Sequence, residues 1–192
     1  MNILISNDDG YLAPGIQELA RRIRRFGNVT VVAPEQNHSG ASNSLTLNRP
    51  LSVRQVQENV FFANGTPSDC VHIALTGLLP QKPDIVLSGI NCGQNMGDDV
   101  LYSGTVAAAM EGFLFGCPSF AFSQVHSGWS CLDSAAEVAE YIVDNFIKSP
   151  LPAPFLLNVN IPNTTIDQLS GLVVTRLGRR HAAQSVIEQV NP

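Results

Sequence analysis

Two adjacent carboxylates near the start of the chain are the residues whose chemistry is easiest to interpret. Asp8 and Asp9 follow the apolar run at 2–6 after a single residue, Asn7. A turn at the end of a strand can bring both side chains to one point, where their charges repel each other unless a cation lies between them. Mg²⁺ and Mn²⁺ prefer carboxylate and neutral oxygen ligands. The pair therefore indicates a divalent-cation site, or else a cap of the next helix by Asp8 and a turn at Asp9 before Gly10.

The turn Ser103-Gly104-Thr105 is the second candidate, because it precedes a helix of small residues. The free N–H groups and positive dipole of a helix N-terminus form a natural phosphate site, to which the two hydroxyls add donors. The alternative is that Ser103 or Thr105 is an ordinary N-cap. Upstream, Asn91 and Asn95 lie in a Gly-rich loop that either only turns the chain or supplies amide oxygens to a hard cation.

Other nucleophilic and nucleotide-binding patterns are missing from the sequence. There is no G-x-S-x-G elbow, no G-x-G-x-x-G after the first apolar run and no Walker A sequence. These absences argue against an α/β-hydrolase, a nicotinamide enzyme and a P-loop ATPase. His38 and Ser39 are neighbours in the sequence, and neighbouring residues rarely form a catalytic Ser–His pair.

The elements that position these loops alternate between strand and helix periods, which predicts one α/β domain over 1–192. The expected architecture is a doubly wound, mostly parallel, Rossmann-like sheet with an inserted β-hairpin at 45–62. Ligands bind beyond the carboxyl ends of such strands, and there the loops at 7–10, 37–43 and 91–105 open on the same edge. The predicted strands lie at 2–6, 29–33, 84–90, 119–123, 155–161 and 172–177, and the predicted helices begin near 14, 66, 105 and 134.

Composition narrows the classes of partner and compartment. The 192 residues are 44% hydrophobic and carry a net charge of −5 without a long cationic face, which argues against a nucleic-acid polymer as the partner. The N-terminus lacks the basic region of a signal peptide, and no run is long enough for a membrane helix. The four cysteines are widely spaced and are expected to be free thiols. These features predict a cytoplasmic protein that does not bind membranes.

Several sequence blocks together resemble the family of the stationary-phase survival protein SurE. They occur in the family's order and span the chain from Asn2 to about His181. The blocks are ILISNDDG, VVAPEQNHSGASNSLTL, NGTPSDCV, DIVLSGINCGQNMGDDVLYSGTVAAAMEG and LNVNIP.

The resemblance implies a 5′-nucleotidase, a phosphomonoester hydrolase that acts on nucleoside 5′- and 3′-monophosphates and, in some members, on short-chain polyphosphate. One Mg²⁺ or Mn²⁺ ion per subunit is the implied cofactor. The implied metal ligands are Asp8, Asp9, Ser39 and Asn91, with the two aspartates also catalytic. The implied phosphate-binding residues are Asn95, Ser103, Gly104 and Thr105.

The resemblance also implies a homodimer or homotetramer assembled through swapped C-terminal segments. Family members usually continue past the point at which this chain stops. A C-terminal oligomerisation segment that begins at about 178–192 and is truncated here is therefore expected. Cys92 departs from the small or basic residues that are common at its position, but it lies between candidate ligands and is not one itself.

Two other functions remain open at this point. The first is a phosphatase with an aspartyl-phosphate intermediate, although such enzymes usually have D-x-D after the first strand and here the aspartates are adjacent. The second is a nucleotide-sensing module that binds without turnover.

Overall fold

The computed structural model describes residues 1–126 and 128–179, in which seven strands form one sheet. The strands are β1 (Asn2–Ser6), β2 (Asn28–Pro34), β3 (Val53–Gln57), β4 (Val60–Ala63), β5 (Ile85–Cys92), β6 (Ser119–Gln124) and β7 (Leu156–Ile161). The α-helices are α1 (Pro14–Ile23), α2 (Pro67–Ile73), α3 (Gly104–Leu114) and α4 (Leu132–Lys148). Shorter helical turns are Arg24–Phe26, Ala74–Leu78, Gly97–Tyr102 and Ile166–Gln168. Across these residues, we find no helix with the length and apolar character needed to span a membrane.

The sheet confirms the predicted doubly wound α/β architecture. Its strand order is β3-β4-β2-β1-β5-β6-β7, and every neighbouring pair except β3 and β4 is parallel. The chain moves outwards in one direction from β1 and in the other from β5. The carboxyl ends of these two central strands therefore flank the crevice in which open α/β sheets bind ligands.

Alternate residues of the central strands face two different helix layers. Ile3 and Ile5 pack with α1 and α4, whereas Leu4 packs with α2 and α3. The first layer lies very close to the sheet, because a Cβ at Gly15 would stand 1.9 Å from the carbonyl oxygen of Ile90. Glycine at this position lets α1 lie directly against β5, which fixes the direction in which the chain leaves β1.

The predicted hairpin is present, but it is shorter than the sequence indicates. Residues 45–52 form no strand, and the hairpin consists of β3 and β4. β4 also pairs in parallel with β2, so the hairpin extends one edge of the main sheet. The apolar residues at 45–51 are mostly exposed, and a strand needs a partner surface as well as β-forming residues.

The predicted strand at 172–177 is wrong. This segment has no regular secondary structure, and its apolar side chains are exposed, Val174 fully so. Its β-branched residues favour a strand, but that preference is realised only against a neighbouring strand and a buried face. Most of the predicted C-terminal extension, including His181, lies outside the described residues.

Candidate active site

The turn after β1 is made by Asn7, which leaves both aspartates available for other contacts. The Asn7 side chain accepts a hydrogen bond from the Gly10 N–H (3.2 Å) and donates one to the Gly10 carbonyl (2.9 Å). α1 begins later, with Ala13 at its N-cap and without a side-chain cap. The alternative in which Asp8 caps the helix and Asp9 makes the turn is therefore wrong.

Asp8 is buried against the N-terminus of α3. Only 4% of its surface is exposed, and its Oδ1 accepts a hydrogen bond of 2.5 Å from the Thr105 hydroxyl. The cap of α3 is Ser103, whose Oγ accepts from the Val106 N–H at 3.1 Å. The two hydroxyls of this turn thus have different roles. Ser103 caps α3, and Thr105 holds the Asp8 carboxylate at the positive N-terminal end of that helix.

Gly104 is required for this approach of α3 to Asp8. A Cβ at Gly104 would lie 2.7 Å from the Asp8 Cβ and 3.0 Å from the Asp8 Oδ2. It would also meet the Cγ of Pro67, at the start of α2, at 3.0 Å. No other amino acid has room here, so the sequence places glycine where the helix terminus meets the carboxylate.

The loop after β2 reaches Asp9 through Asn37. The Asn37 amide donates to Asp9 Oδ1 at 3.3 Å, and its Oδ1 accepts from the hydroxyl (2.6 Å) and N–H (2.7 Å) of Ser39. Asn37 therefore places Ser39 beside the carboxylate pair. Asn37 is not among the site residues predicted from the sequence, although an Asn two residues before a Ser is the pattern of a local side-chain turn.

The end of β5 contacts Asp9 from the other side. The Cys92 N–H donates to Asp9 Oδ2 at 3.3 Å. The neighbouring Asn91 donates its amide to the Gly93 carbonyl at 2.9 Å, which leaves its Oδ1 as the atom suited to a cation. Further along the loop, Asn95 is buried, and its amide donates to the hydroxyl of Ser123 at 2.7 Å.

The structure thus gathers the segments that hold all the predicted site residues at one edge of the sheet. In the part of the chain that the structure describes, no group of three or more His, Cys, Asp and Glu side chains is arranged to hold a metal ion. A cation here would depend on two carboxylates and neutral oxygens, which is a donor set that Mg²⁺ and Mn²⁺ accept. The assigned ligands and phosphate contacts stay predictions.

Burial and mutual proximity set the electrostatics of the two aspartates. Burial raises the pKa of Asp8, against the lowering effect of hydrogen bonds from the Thr105 hydroxyl and N–H and of the charge on His38. Burial, and then the negative charge of Asp8, raise the pKa of Asp9 to about 6, against the hydrogen bond from Cys92. Both effects disfavour the ionised pair, and a divalent cation would reverse them.

We expect Asp9→Asn to stabilise the metal-free protein at neutral pH. The pKa of Asp9 in the folded protein is raised from 3.8 to about 6, so the folded protein favours the protonated form of this residue. The contribution of Asp9 to the free energy of unfolding is therefore complete below about pH 4 and is lost as the pH rises through 6. The loss, discounted for partial exposure and screening, is about 1 kcal/mol, or about 2–4 °C in Tm for a chain of this size.

The measurement is thermal unfolding with EDTA at several pH values. The variant should melt above the parent at pH 7.5, and the two melting curves should converge as the pH falls towards 4. An Asp9→Asn protein that is no more stable at pH 7.5 would show that burial and the charge of Asp8 do not destabilise the ionised form of Asp9.

Comparison with known proteins identifies the family of this chain. Residues 3–184 match the family model described as Survival protein SurE. Among solved structures, the chain is similar to the SurE protein from Aquifex aeolicus, with 43% sequence identity and a TM-score of 0.89; the match covers 94% of this chain and 73% of that chain. The family is known for nucleotidase and phosphatase activity and is generally metal-dependent. The family model matched over residues 3–184, together with a SurE structure at 43% identity over 94% of the chain, places this protein in the SurE family.

Proposed function

We propose that the protein hydrolyses nucleoside 5′- and 3′-monophosphates to nucleoside and phosphate with one Mg²⁺ or Mn²⁺ ion per subunit, and that it also acts on short-chain polyphosphate. The observation that supports this most directly is the hydrogen bond from Thr105 to Asp8. It joins a carboxylate pair suited to a hard cation with a helix N-terminus suited to a phosphate. A candidate cation site and a candidate phosphate site are therefore linked by a single hydrogen bond.

Hydrogen bonds within the protein hold the two candidate carboxylate ligands. Thr105 fixes the carboxylate of Asp8, while Asn37 and the Cys92 N–H orient that of Asp9. Ser39 and Asn91 would add neutral oxygens from the flanking loops. A divalent cation in this position would polarise the phosphoryl group and lower the pKa of a nearby water molecule.

The phosphate would lie at the N-terminus of α3. The Gly104 N–H belongs to the first turn, where helix geometry leaves N–H groups without partners inside the helix. The Ser103 hydroxyl, which accepts a hydrogen bond as the cap, still has its own hydrogen to donate. Asp9 is more exposed than Asp8, so we assign to Asp9 the proton released by the attacking water. Positioning and charge stabilisation suffice for phosphoryl transfer, and no Ser–His pair is needed.

The experiment that tests this function is phosphate release from AMP and 3′-AMP with Mn²⁺, and with excess EDTA as the control. We expect turnover that EDTA abolishes. Binding of AMP without turnover would identify a nucleotide-sensing module. One turnover in ¹⁸O-labelled water should place ¹⁸O in the released phosphate, whereas a trapped phosphoenzyme would indicate an aspartyl-phosphate mechanism.

The two hydroxyls of the α3 turn should give different phenotypes. Thr105→Val keeps the shape of the side chain but removes the hydrogen bond to Asp8, which is of the charge-assisted kind worth about 1.5–3 kcal/mol. We expect the Mn²⁺ concentration for half-maximal activity to rise roughly ten- to a hundredfold. KM for AMP should change little, because the Thr105 hydroxyl donates its hydrogen to Asp8 and not, as the family resemblance implies, to the phosphate. Ser103→Ala loses a cap worth about 1 kcal/mol and should lower Tm.

Kinetic titrations with Mn²⁺ and with AMP, together with Tm, on both variants check this division of roles. If Thr105→Val instead raises KM for AMP and weakens inhibition by inorganic phosphate at saturating Mn²⁺, Thr105 is a phosphate ligand. Unchanged kinetics in both variants would mean that the turn only caps α3.

We also propose that the protein forms homodimers or homotetramers through its C-terminal segment. The exposed apolar side chains of Leu172, Val173, Val174 and Leu177 support this proposal. Sedimentation analysis should show an oligomer, and Val173→Asp together with Val174→Asp should shift it towards the monomer. A monomeric parent protein would contradict the proposal.

A further inference from the structure

Two asparagines of β7 contact the site loop from a distant part of the chain. Asn158 and Asn160 are alternate residues of the strand, so their side chains lie on the same face of the sheet. Both donate their amide N–H to the carbonyl of Asn95, at 2.8 and 2.9 Å. The Asn95 N–H in turn donates to Asn160 Oδ1 at 2.8 Å. The backbone of Asn95 is thus held through both its donor and its acceptor.

This arrangement depends on the amide side chain. Asn95 lies in a loop segment without regular secondary structure, yet it is only 8% exposed, so its backbone groups need partners inside the protein. Asn160 supplies one donor and one acceptor to the same residue, as a neighbouring strand would. Among the side chains, an uncharged amide provides both in a fixed geometry. The Asn95 side chain is fixed separately, by its hydrogen bond to Ser123.

The contacts continue along the loop from Asn95 to the carboxylates. The Gly93 N–H donates to the Gln124 carbonyl at 3.0 Å, and the Gly93 carbonyl accepts from the Asn91 amide. The next residue, Cys92, donates its N–H to Asp9. The segment from Asn91, at the end of β5, to Asn95 is therefore fixed at Cys92 by Asp9 and at Asn95 by β7.

We propose that Asn158 and Asn160 are positioning residues for the phosphatase reaction. By holding the backbone of Asn95, they keep its side-chain amide where it binds the substrate phosphate. This inference rests on the proposed function and extends it to a strand that contributes no metal ligand. Asn160 makes two of the three contacts to the Asn95 backbone and Asn158 makes one. Loss of Asn160 therefore has the larger effect.

The test compares Asn160→Ala and Asn158→Ala with a matched control, Asn145→Ala. Asn145 also donates its amide to a backbone carbonyl, that of Tyr141, but on the exposed side of α4. Because misplacement of a binding group by about 1 Å can cost about 10²-fold in rate, we expect Asn160→Ala to lower kcat/KM roughly ten- to a hundredfold. KM for AMP and the inhibition constant of phosphate should rise together, while the Mn²⁺ requirement stays within about twofold of the parent. Asn158→Ala should show the same pattern at under about tenfold, and Asn145→Ala should match the parent.

A double-mutant cycle with Asn95→Ala separates positioning from a general structural role. If Asn160 acts through the Asn95 side chain, the double variant loses no more activity than Asn95→Ala alone. Independent losses that multiply, or a lower Tm with unchanged kinetics, would overturn the proposal. If Asn160→Ala does not fold, the same cycle with Asn158→Ala decides.

Hydrogen exchange distinguishes failure of this inference from failure of the proposed function. The backbone N–H of Asn95 should exchange at least about tenfold faster in Asn160→Ala than in the parent or in Asn145→Ala, because its hydrogen-bond acceptor, Asn160 Oδ1, is lost. If exchange is faster in Asn160→Ala but the parent protein hydrolyses no nucleotide, the proposed function is overturned and, with it, the catalytic part of this inference. Unchanged exchange would overturn the inference even in an active enzyme.

Discussion

Replacement of Asp8 by asparagine is expected to abolish metal-dependent phosphate release while the fold is retained. The change keeps the size of the side chain but removes one of the two negative charges available to a cation. A cation contributes several kcal/mol of charge stabilisation to such a reaction, and each 1.36 kcal/mol is a factor of ten in rate. We therefore expect kcat/KM for AMP at saturating Mn²⁺ to fall by at least about a hundred- to a thousandfold.

The matched control is Asp144→Asn, the same chemical change at a surface ion pair with Lys148 on α4. Its kinetics should equal those of the parent. Circular dichroism and Tm in EDTA should show that Asp8→Asn is folded, because burial already disfavours the charged form of this residue. Turnover at the parent rate in a folded Asp8→Asn protein would remove Asp8 from the candidate ligands.

Gly104→Ala is expected to disable the site through a single methyl group. The added Cβ would lie 2.7 Å from the Cβ of Asp8, so either α3 or the β1 turn must move. Overpacking of this kind typically costs about 1–3 kcal/mol of stability. A displacement of about 1 Å at the reacting groups can cost about 10²-fold in rate, so kcat/KM should fall by about two orders of magnitude.

Gly77→Ala is the control for this substitution. Gly77 also lies in a helical segment, but a Cβ there would meet no atom within 4 Å. Alanine should leave activity unchanged and raise Tm slightly, because it lowers the entropy of the unfolded chain. Parent-like activity in Gly104→Ala would show that α3 can move away from Asp8 at no cost to catalysis.

The sequence alone determined the features that depend on short stretches of chain. The apolar period predicted β1 and α1, and the turn chemistry predicted that two further helices begin near Thr66 and Thr105, within one residue of the observed starts of α2 and α3 at Pro67 and Gly104. These predictions succeed because strand alternation and helix capping involve residues within about four positions of one another. The carboxyl-edge rule then placed the loops with Asp8, Asp9 and Asn91 at one site, because parallel strands leave their loops on the same side.

Only the tertiary structure decided which side chains meet at that site. Thr105 binds Asp8 across 97 positions of sequence, and Asn158 and Asn160 hold Asn95 across 63 and 65. A hydroxyl or amide can form its hydrogen bond with many partners, and its own type does not select among them. The partner is selected by the packing of α3 and β7 on the sheet, which brings distant segments within bonding distance. The exposed segment at 172–177 shows the converse, since its β-forming residues make no strand where the fold offers no partner.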